Sequence, residues 1–376
     1  MPRTAIIIVG VSALFTIGAA SRSCAPCVTT DDCNAQDYCA KIMGSCDNEG
    51  VCQPRPTTCS DDLEQPVCGC DGQTYKNACF AAIDGVSIAY DGECEDEYCK
   101  DGDVIVFPDE NLRSVILGVI GKAWEEDILC EDVRDLTSLR VPFGTYISSL
   151  VGMEHLRSLS YLDLFACPGI SDITPLAGLT HLWHLELTST NVSDISPLSG
   201  LLNLTYLHLQ DNDISDISPL AGLHNLSKLY LNNNFISDLS PLAGLVNLTE
   251  LELFVNDISD IAPLSGLTML EHLDLSDNSV SDLTPLAGLN TLTLLYLDAN
   301  NISDVAPLAG LSNLSYLYLC NNNISDIHPL AVSIDFYTNG INLKGNPLDC
   351  TSPEVLADIA ALEAKIPYVS HDCEAD

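Results

Sequence analysis

Eight aspartates, Asp172, Asp194, Asp216, Asp238, Asp260, Asp282, Asp304 and Asp326, recur every 22 residues. A file of carboxylates at fixed spacing could hold a hard cation such as calcium, which prefers oxygen ligands. The same side chains can instead bond the backbone of their own turns, and aspartate at a turn most commonly does this. The second use is the expected one. His181-x-x-His184 offers two imidazoles, but the sequence supplies no third ligand or nearby catalytic acid. Cys24-Ala-Pro-Cys27 is a lone pair without the second pair a zinc finger needs. Cys320 has no placed histidine to activate it, and both it and Cys167 are expected to be unpaired. No nucleophile elbow, phosphate loop or spaced acid–base pair stands out from the repeat composition, so we expect no enzyme activity, no cofactor and no metal.

The remaining chemistry is recognition. Leu229 and Leu231 alternate, as do their equivalents in every unit, so they belong to a short strand with both leucines inward. The residues between and beside them point outward. One outward column is Asp163, Glu186, His208, Tyr230, Glu252, Asp274, Tyr296 and Tyr318. Beside it run His184, Tyr206, Glu250, His272 and Tyr316, with Phe254 on the other side. Tyrosine, phenylalanine and carboxylate suit a protein-binding surface, although aromatic residues also favour strands for packing reasons alone. The expected binding face is Tyr206, Tyr230, Glu252, Phe254, Asp274, Tyr296, Tyr316 and Tyr318, with Tyr296, Tyr316 and Tyr318 as anchors.

The element that must position these residues is a repeat. Ile170, Val192, Ile214, Ile236, Ile258, Val280, Ile302 and Ile324 each precede Ser-Asp and lie 22 residues apart. A fixed period in this range means a solenoid, in which no single unit has a core but the stack does. Asn212, Asn234, Asn256, Asn278, Asn300 and Asn322 follow the strands, where a side-chain amide can bond backbone groups left unpaired by the bend. Ser196, Ser218, Ser240, Thr174 and Thr284 precede a proline, an arrangement that predicts a helical turn capped by the hydroxyl. Ala262, Ala306 and His328 lack the hydroxyl, at an expected cost of about 1 kcal/mol each.

Strings of the form N-x-I-S-D-I-x-P-L-A-G-L-x-N-L-x-x-L-x-L resemble the leucine-rich repeats of the internalin family and related bacterial surface proteins. Phe107-Pro-Asp-Glu-Asn-Leu112 and the residues after it look like that family's N-terminal cap. Leu112, Val115, Ile116, Val119 and Ile120 fall at helical spacing, so an amphipathic helix with one buried stripe should end at Gly121. The resemblance is specific for fold and silent on ligand, because the matching residues are structural. It departs in two places. Phe165 to Gly169 carries one extra residue, with Cys167 near the expected asparagine position, and the last unit, from Ile334, is irregular. Ser352-Pro353 should then open a helix through Val355, Ile359 and Leu362, with Cys350 and Cys373 tying the end shut.

The N-terminal part has a different character. Ala5 to Ile17 is an apolar run behind Arg3 and ahead of small residues, which reads as a signal peptide cleaved near Ala20. Lipidation at Cys24 is disfavoured by Arg22, and no later segment spans a membrane. Of 17 cysteines, eleven lie between Cys24 and Cys94, a density that implies disulfides in an oxidising compartment. Pro66-Val-Cys-Gly, Asp71-Gly-x-Thr-Tyr-x-Asn77 and Cys68-x6-Tyr75-x3-Cys79, with Cys94 closing the segment, look like a Kazal-type inhibitor domain. The resemblance implies the pairs Cys59–Cys79 and Cys68–Cys94. The family's further cysteine shortly after Cys79 is missing here, and Cys70 is extra, so Cys52–Cys70 is the third expected pair. Cys27, Cys33, Cys39 and Cys46 would form two further bridges. The family's inhibitory loop maps to Asp61 or Asp62. An acid there suits neither a trypsin-like nor a chymotrypsin-like pocket, since the carboxylate would be desolvated without a partner.

The fold expected is an α/β leucine-rich repeat solenoid, with 22-residue repeats and short strands on the concave face, preceded by a small disulfide-rich Kazal-like domain. The expected division is 1–20 signal peptide, 24–51 cysteine-rich segment, 52–94 Kazal-like domain, 100–139 helical cap, 140–348 repeats and 349–376 C-terminal cap. The chain carries 53 Asp and Glu against 14 Lys and Arg, a formal charge of -39, which repels nucleic acid and anionic lipid. The function expected is extracellular protein binding through the concave face, in a secreted or surface protein of bacterial origin. The alternative is a secreted inhibitor whose partner is a serine protease.

Overall fold

The computed structural model describes residues 26–27, 33, 37–41, 50–59, 66–70, 73–91, 99–333 and 338–373. The chain divides into two compact units, Met1–Glu97 and Tyr98–Asp376. The expected signal peptide, Cys24, Cys46, Asp61, Asp62 and Cys94 lie outside the described residues.

In the first unit, Val67–Gly69 pairs antiparallel with Thr74–Tyr75 and with Ile88–Asp91. A helix, Ala78–Asp84, packs beside them. The Asn77 side chain caps this helix, accepting from the backbone N–H of Cys79 and Phe80, and Gly85 ends it at φ 79°. Its described core is small: Val67, Tyr75 and Ala81, with Phe80, Val86 and Ile88 against them. A second sheet sets Gly50–Pro54 between Pro26–Cys27 and Asp37–Ala40. So little apolar material needs covalent staples. Cys59 is bridged to Cys79, and Cys68, Cys70 and Cys39 are also disulfide-bonded.

Cys52 corrects the expected pairing: it is bridged to Cys33, with Cα atoms 5.6 Å apart, and not to Cys70. The bridge therefore joins the first cysteine segment to the Kazal-like part, and Cys27, Cys33, Cys39 and Cys46 do not form a closed set of two bridges. The central strand Gly50–Pro54 explains this, because it carries Cys52 into the sheet with Pro26–Cys27 and Asp37–Ala40, opposite Cys39.

The second unit is one parallel sheet of eleven strands in sequence order, from Ser138–Arg140 to Tyr368–Ser370. Each repeat supplies a three-residue strand, such as Lys228–Tyr230. Leu229 and Leu231 are fully buried, as are their equivalents. The return side is a 3-10 turn over Ser-Pro-Leu or its variants.

The asparagine file is a ladder. Asn234 donates to the carbonyls of Leu209 (2.9 Å), Leu231 (3.1 Å) and Asn232 (3.2 Å), and its oxygen accepts from Ile214 N–H at 3.0 Å. One side chain thus ties two units together and satisfies groups the bend leaves free. At the start of the file, Thr190 takes the position, donating to Leu187 carbonyl, and the buried Cys167 lies 3.5 Å from the Thr145 carbonyl. Beside the file runs a column of left-handed residues, Ala166, Ser189, Asp211, Asn233, Val255, Asp277, Ala299 and Asn321, at φ 51° to 56°. Val255 is the costly member, because a β-branched side chain crowds the backbone there.

The turn caps differ from the expectation. No hydroxyl caps these turns. The aspartate two residues earlier does so, as when Asp216 Oδ1 accepts from Ser218 N–H at 2.8 Å. The N–H groups of Ala262, Ala306 and His328 donate the same bond at 2.9 Å to Asp260, Asp304 and Asp326. Losing the hydroxyl therefore breaks no cap. The aspartate file is accounted for as turn chemistry, and these bonds hold the Asp172, Asp194, Asp216 and Asp282 carboxyls below their usual range.

Both ends of the stack are closed. The helix Glu110–Ile120 is capped by Asp109, whose carboxylate also accepts from Ser148 N–H at 2.7 Å, pinning the helix to the first repeat. Gly121 ends it at φ 74°. Its buried residues are Leu112, Ile116 and Leu117, whereas Val119 is 48% exposed. The stripe is thus rotated toward Leu117. Cys99–Cys130, both buried, fasten this cap. At the other end the helix Pro353–Glu363, capped by Ser352, lies behind a Cys350–Cys373 bridge.

Candidate functional site: the concave sheet face

Parallel pairing in register stacks equivalent side chains about 4.8 Å apart along the sheet. Tyr206 thus lies opposite Lys228, and Tyr230 opposite Glu252. The outward columns form two aromatic groups with a polar group between them.

The first group runs from Tyr161 to Tyr230. His184 is sandwiched between Tyr161 and Tyr206, each ring centroid 4.2 Å away and nearly parallel to it. Trp183 meets His184 edge-on at 5.4 Å, and His208 lies 4.5 Å from Tyr230. Burial lowers the His184 pKa, so the ring favours its neutral form. His208 Nδ1 is 2.7 Å from Glu186 Oε2. Burial opposes charge on both, but their mutual attraction prevails: the His208 pKa is raised and that of Glu186 lowered.

The central group is Lys228, Glu250, Glu252 and His272. Lys228 Nζ is 2.7 Å from Glu250 Oε2, and His272 Nδ1 is 3.5 Å from Glu250 Oε1. Asn232 donates to Glu252 at 2.6 Å. Glu250, Glu252 and His272 bring one donor atom each to within 4.8 Å of one another, the set on this face that could hold a divalent metal. One oxygen of Glu250 is already paired with the Lys228 ammonium.

The second aromatic group is Tyr296, Tyr316 and Tyr318. Tyr296 and Tyr318 are stacked at 4.6 Å and 6°, and Tyr316 lies 6.4 Å from Tyr318. Tyr316 is 37% exposed. Asp274 and Asp298 both border Tyr296, the first across the neighbouring strand and the second two residues on. Burial raises both carboxyls above their usual range, and Asp274 adds to the effect at Asp298. Next to Tyr318, Gly340 opens a groove of about 650 Å³ lined by Tyr316, Tyr318, Asn342 and Tyr368.

Of the eight residues expected on the binding face, seven lie on strands of this sheet, and Phe254 follows its strand, Glu250–Glu252, by two residues. Tyr206 and Tyr230 meet, Glu252 joins the central group, and Asp274, Tyr296, Tyr316 and Tyr318 gather at the C-terminal end. Phe254 makes no ring contact among the described residues. The sequence reading passed over Tyr161, Trp183, Asp298 and Tyr368. Tyr161 precedes His184 by 23 residues, as Asp163 precedes Glu186, so its place in the column could have been read from the sequence. Tyr368 follows two irregular spacings, and no period could have found it. Cys167 and Cys320 are both unpaired. Burial pushes the Cys167 thiol up to about 11, and burial with Asp298 raises that of Cys320, so neither is an activated nucleophile.

Residues 202–244, 246–288 and 290–332 match leucine-rich repeats in two-copy form. Residues 54–94 match the Kazal-type serine protease inhibitor domain. Bdellin B-3 of Hirudo medicinalis is 42% identical over 52 residues, which is 12% of this chain and 91% of that protein. The crystal structure of an internalin (inlF) from Listeria monocytogenes is similar at 34% identity and a TM-score of 0.63, over 71% of this chain and 77% of that one. The functional domain of InlJ from the same organism, which includes a cysteine ladder, shares the fold at 21% identity and a TM-score of 0.53, over 74% of this chain and 64% of that one. With an asparagine-laddered parallel stack behind it and an Asn77-capped, cross-linked unit ahead, the chain belongs to the internalin-like leucine-rich-repeat proteins and carries an N-terminal Kazal-type domain.

Proposed function

We propose that this chain is an extracellular recognition protein whose concave sheet face binds a protein partner. It acts at the surface of, or secreted from, a bacterial cell. The observation that carries the reading is the tyrosine group at the C-terminal end, where Tyr296 and Tyr318 stack and Tyr316 stands exposed beside an open groove. Rigid aromatic anchors in a concave setting are what protein interfaces concentrate their energy on. In this reading the leucines, the asparagine ladder and the aspartate caps serve only to hold those anchors in line. The Kazal-type unit serves as a cross-linked module ahead of them.

The test is capture of binding partners from a host-cell surface fraction by the full chain, compared with the variant carrying Tyr296→Ala, Tyr316→Ala and Tyr318→Ala. Specific capture should be lost while the far-ultraviolet spectrum is kept. Undiminished capture by a folded triple variant removes the reading.

A second reading has its own support, the match of residues 54–94 to a Kazal-type inhibitor domain. Under it, the loop with Asp61 and Asp62 would enter a protease that prefers acidic side chains. Titrating the full chain against trypsin, chymotrypsin and a glutamate-specific endopeptidase separates the two. Tight inhibition abolished by changing Asp61 and Asp62 to Ala would rank inhibition first.

A further inference from the structure

The acids of the concave face are not treated alike. Toward the N-terminal end each has a cation or an amide of its own. Asp163 lies 3.0 Å from Arg140, Glu186 2.7 Å from His208, and Glu250 2.7 Å from Lys228. Glu252 accepts from Asn232 at 2.6 Å. Beyond His272 this stops. Asp274 accepts from Ser276 N–H and Asp298 from Cys320 N–H, and among the described residues neither is in an ion pair. Lys365 is occupied elsewhere, donating to the carbonyls of Ala331 (2.7 Å) and Ser333 (3.1 Å). Lys344 stands in the Asp298 column but two strand spacings away, about 10 Å.

Two half-buried carboxylates without a cation cost folding free energy, because burial strips water from them and they repel each other. Asp274 pairs with Tyr296 across neighbouring strands and Asp298 follows Tyr296 by two residues, so both acids border the Tyr296 end of the stacked Tyr296 and Tyr318 rings, whose electron-rich faces attract cations. Next along the sheet is the groove over Gly340. A side chain added there would begin 3.1 Å from the Tyr316 ring, so the glycine keeps the floor open between Tyr316 and Tyr368, its neighbours in the column.

We propose that this end of the concave face is a receptor for a basic extended segment of the partner. An arginine or lysine of the segment lies against Tyr296 and Tyr318 and reaches Asp274 and Asp298, and an adjoining apolar side chain enters the groove over Gly340. The inference rests on the concave face being the binding face, and it adds the charge and place of what binds. The occupant is chosen by complementarity: the ligand brings the cation that the protein withholds here and supplies to Asp163, Glu186 and Glu250. Charge-assisted hydrogen bonds to a desolvated carboxylate are among the stronger polar contacts available.

The experiment is fluorescence anisotropy of the full chain with a labelled Gly-Arg-Leu-Arg-Gly peptide, with Gly-Glu-Leu-Glu-Gly as control. The chain is so acidic that any basic peptide feels a general attraction, and one comparison separates that from a site. Asp274→Asn with Asp298→Asn should weaken the basic peptide by at least about tenfold. Asp213→Asn with Asp257→Asn, which removes the same charge from exposed positions off the face, should leave it within about twofold. Equal weakening by both pairs, or equal binding of the two peptides, overturns the proposal. Partner capture by the Asp274/Asp298 variant separates this failure from that of the broader reading. Capture kept there but lost in the tyrosine variant retains the concave face and discards the basic segment.

Discussion

In the Kazal-type unit the described core is three buried residues, Val67, Tyr75 and Ala81. In the repeat unit the buried core runs from Cys99 to Ile366 without a break. The first unit is held by bridges such as Cys33–Cys52 and Cys59–Cys79, which restrict the unfolded chain. The second is held by burial and by a ladder of amides, and its described bridges, Cys99–Cys130 and Cys350–Cys373, sit only at its ends. The difference teaches where specificity can be stored. A stapled unit tolerates changes in its loops, because the staples fix the frame. A stacked unit tolerates changes only on its outward columns, because every inward position is shared with a neighbour.

The largest effect should come from reduction. Each bridge lost from a small domain costs about 2–5 kcal/mol, so a reducing agent should expose the first unit to limited proteolysis while strands 138–370 stay resistant. Simultaneous digestion of both units would erase the contrast. Leu229→Ala should do the reverse, lowering repeat-unit stability by about 2–5 kcal/mol in denaturant titration and leaving inhibitor-domain proteolysis unchanged. Asn234→Ala should cost about 1–3 kcal/mol, since it strands the Ile214 N–H and removes one of the two amide bonds at each of the Leu209 and Leu231 carbonyls, which keep Asn212 and Asn256. Val255→Asn should raise repeat-unit stability by about 1 kcal/mol, because asparagine tolerates the left-handed backbone that valine resists. Ala262→Ser should move thermal stability by less than about 0.5 kcal/mol, since Asp260 already caps that turn. A larger gain would return the cap to the hydroxyl.

Most of the second unit was legible because its rule is local and repeated. The spacing of Leu229 and Leu231 gives the strand, Asn234 gives the bend, and the 22-residue period gives the stack. The turn cap was misread at Ser218 because a hydroxyl before proline fits the general rule, and only geometry shows that Asp216 reaches the N–H first. The pairing of Cys33 with Cys52 was not legible, since cysteine spacing fixes no connectivity. On the candidate face the columns could be listed from the sequence, but not which members touch. The His184 sandwich needs Tyr161, which the spacing from Asp163 to Glu186 could have placed, and the groove over Gly340 needs Tyr368, a full irregular unit away.

The asparagine ladder has one more consequence, for lineage rather than for stability. Every junction between Val192 and Ile324 is made by the same register and the same amide reaching back 25 residues. A gene that gained or lost one 22-residue copy in that stretch would join its neighbours without a misfit. Such a change would leave both capped ends as they are and slide the histidine-rich end of the face toward or away from the acidic end by one strand, about 4.8 Å. The face therefore has an adjustable gauge. Its reach can be inherited in whole steps, while the chemistry at either end is kept.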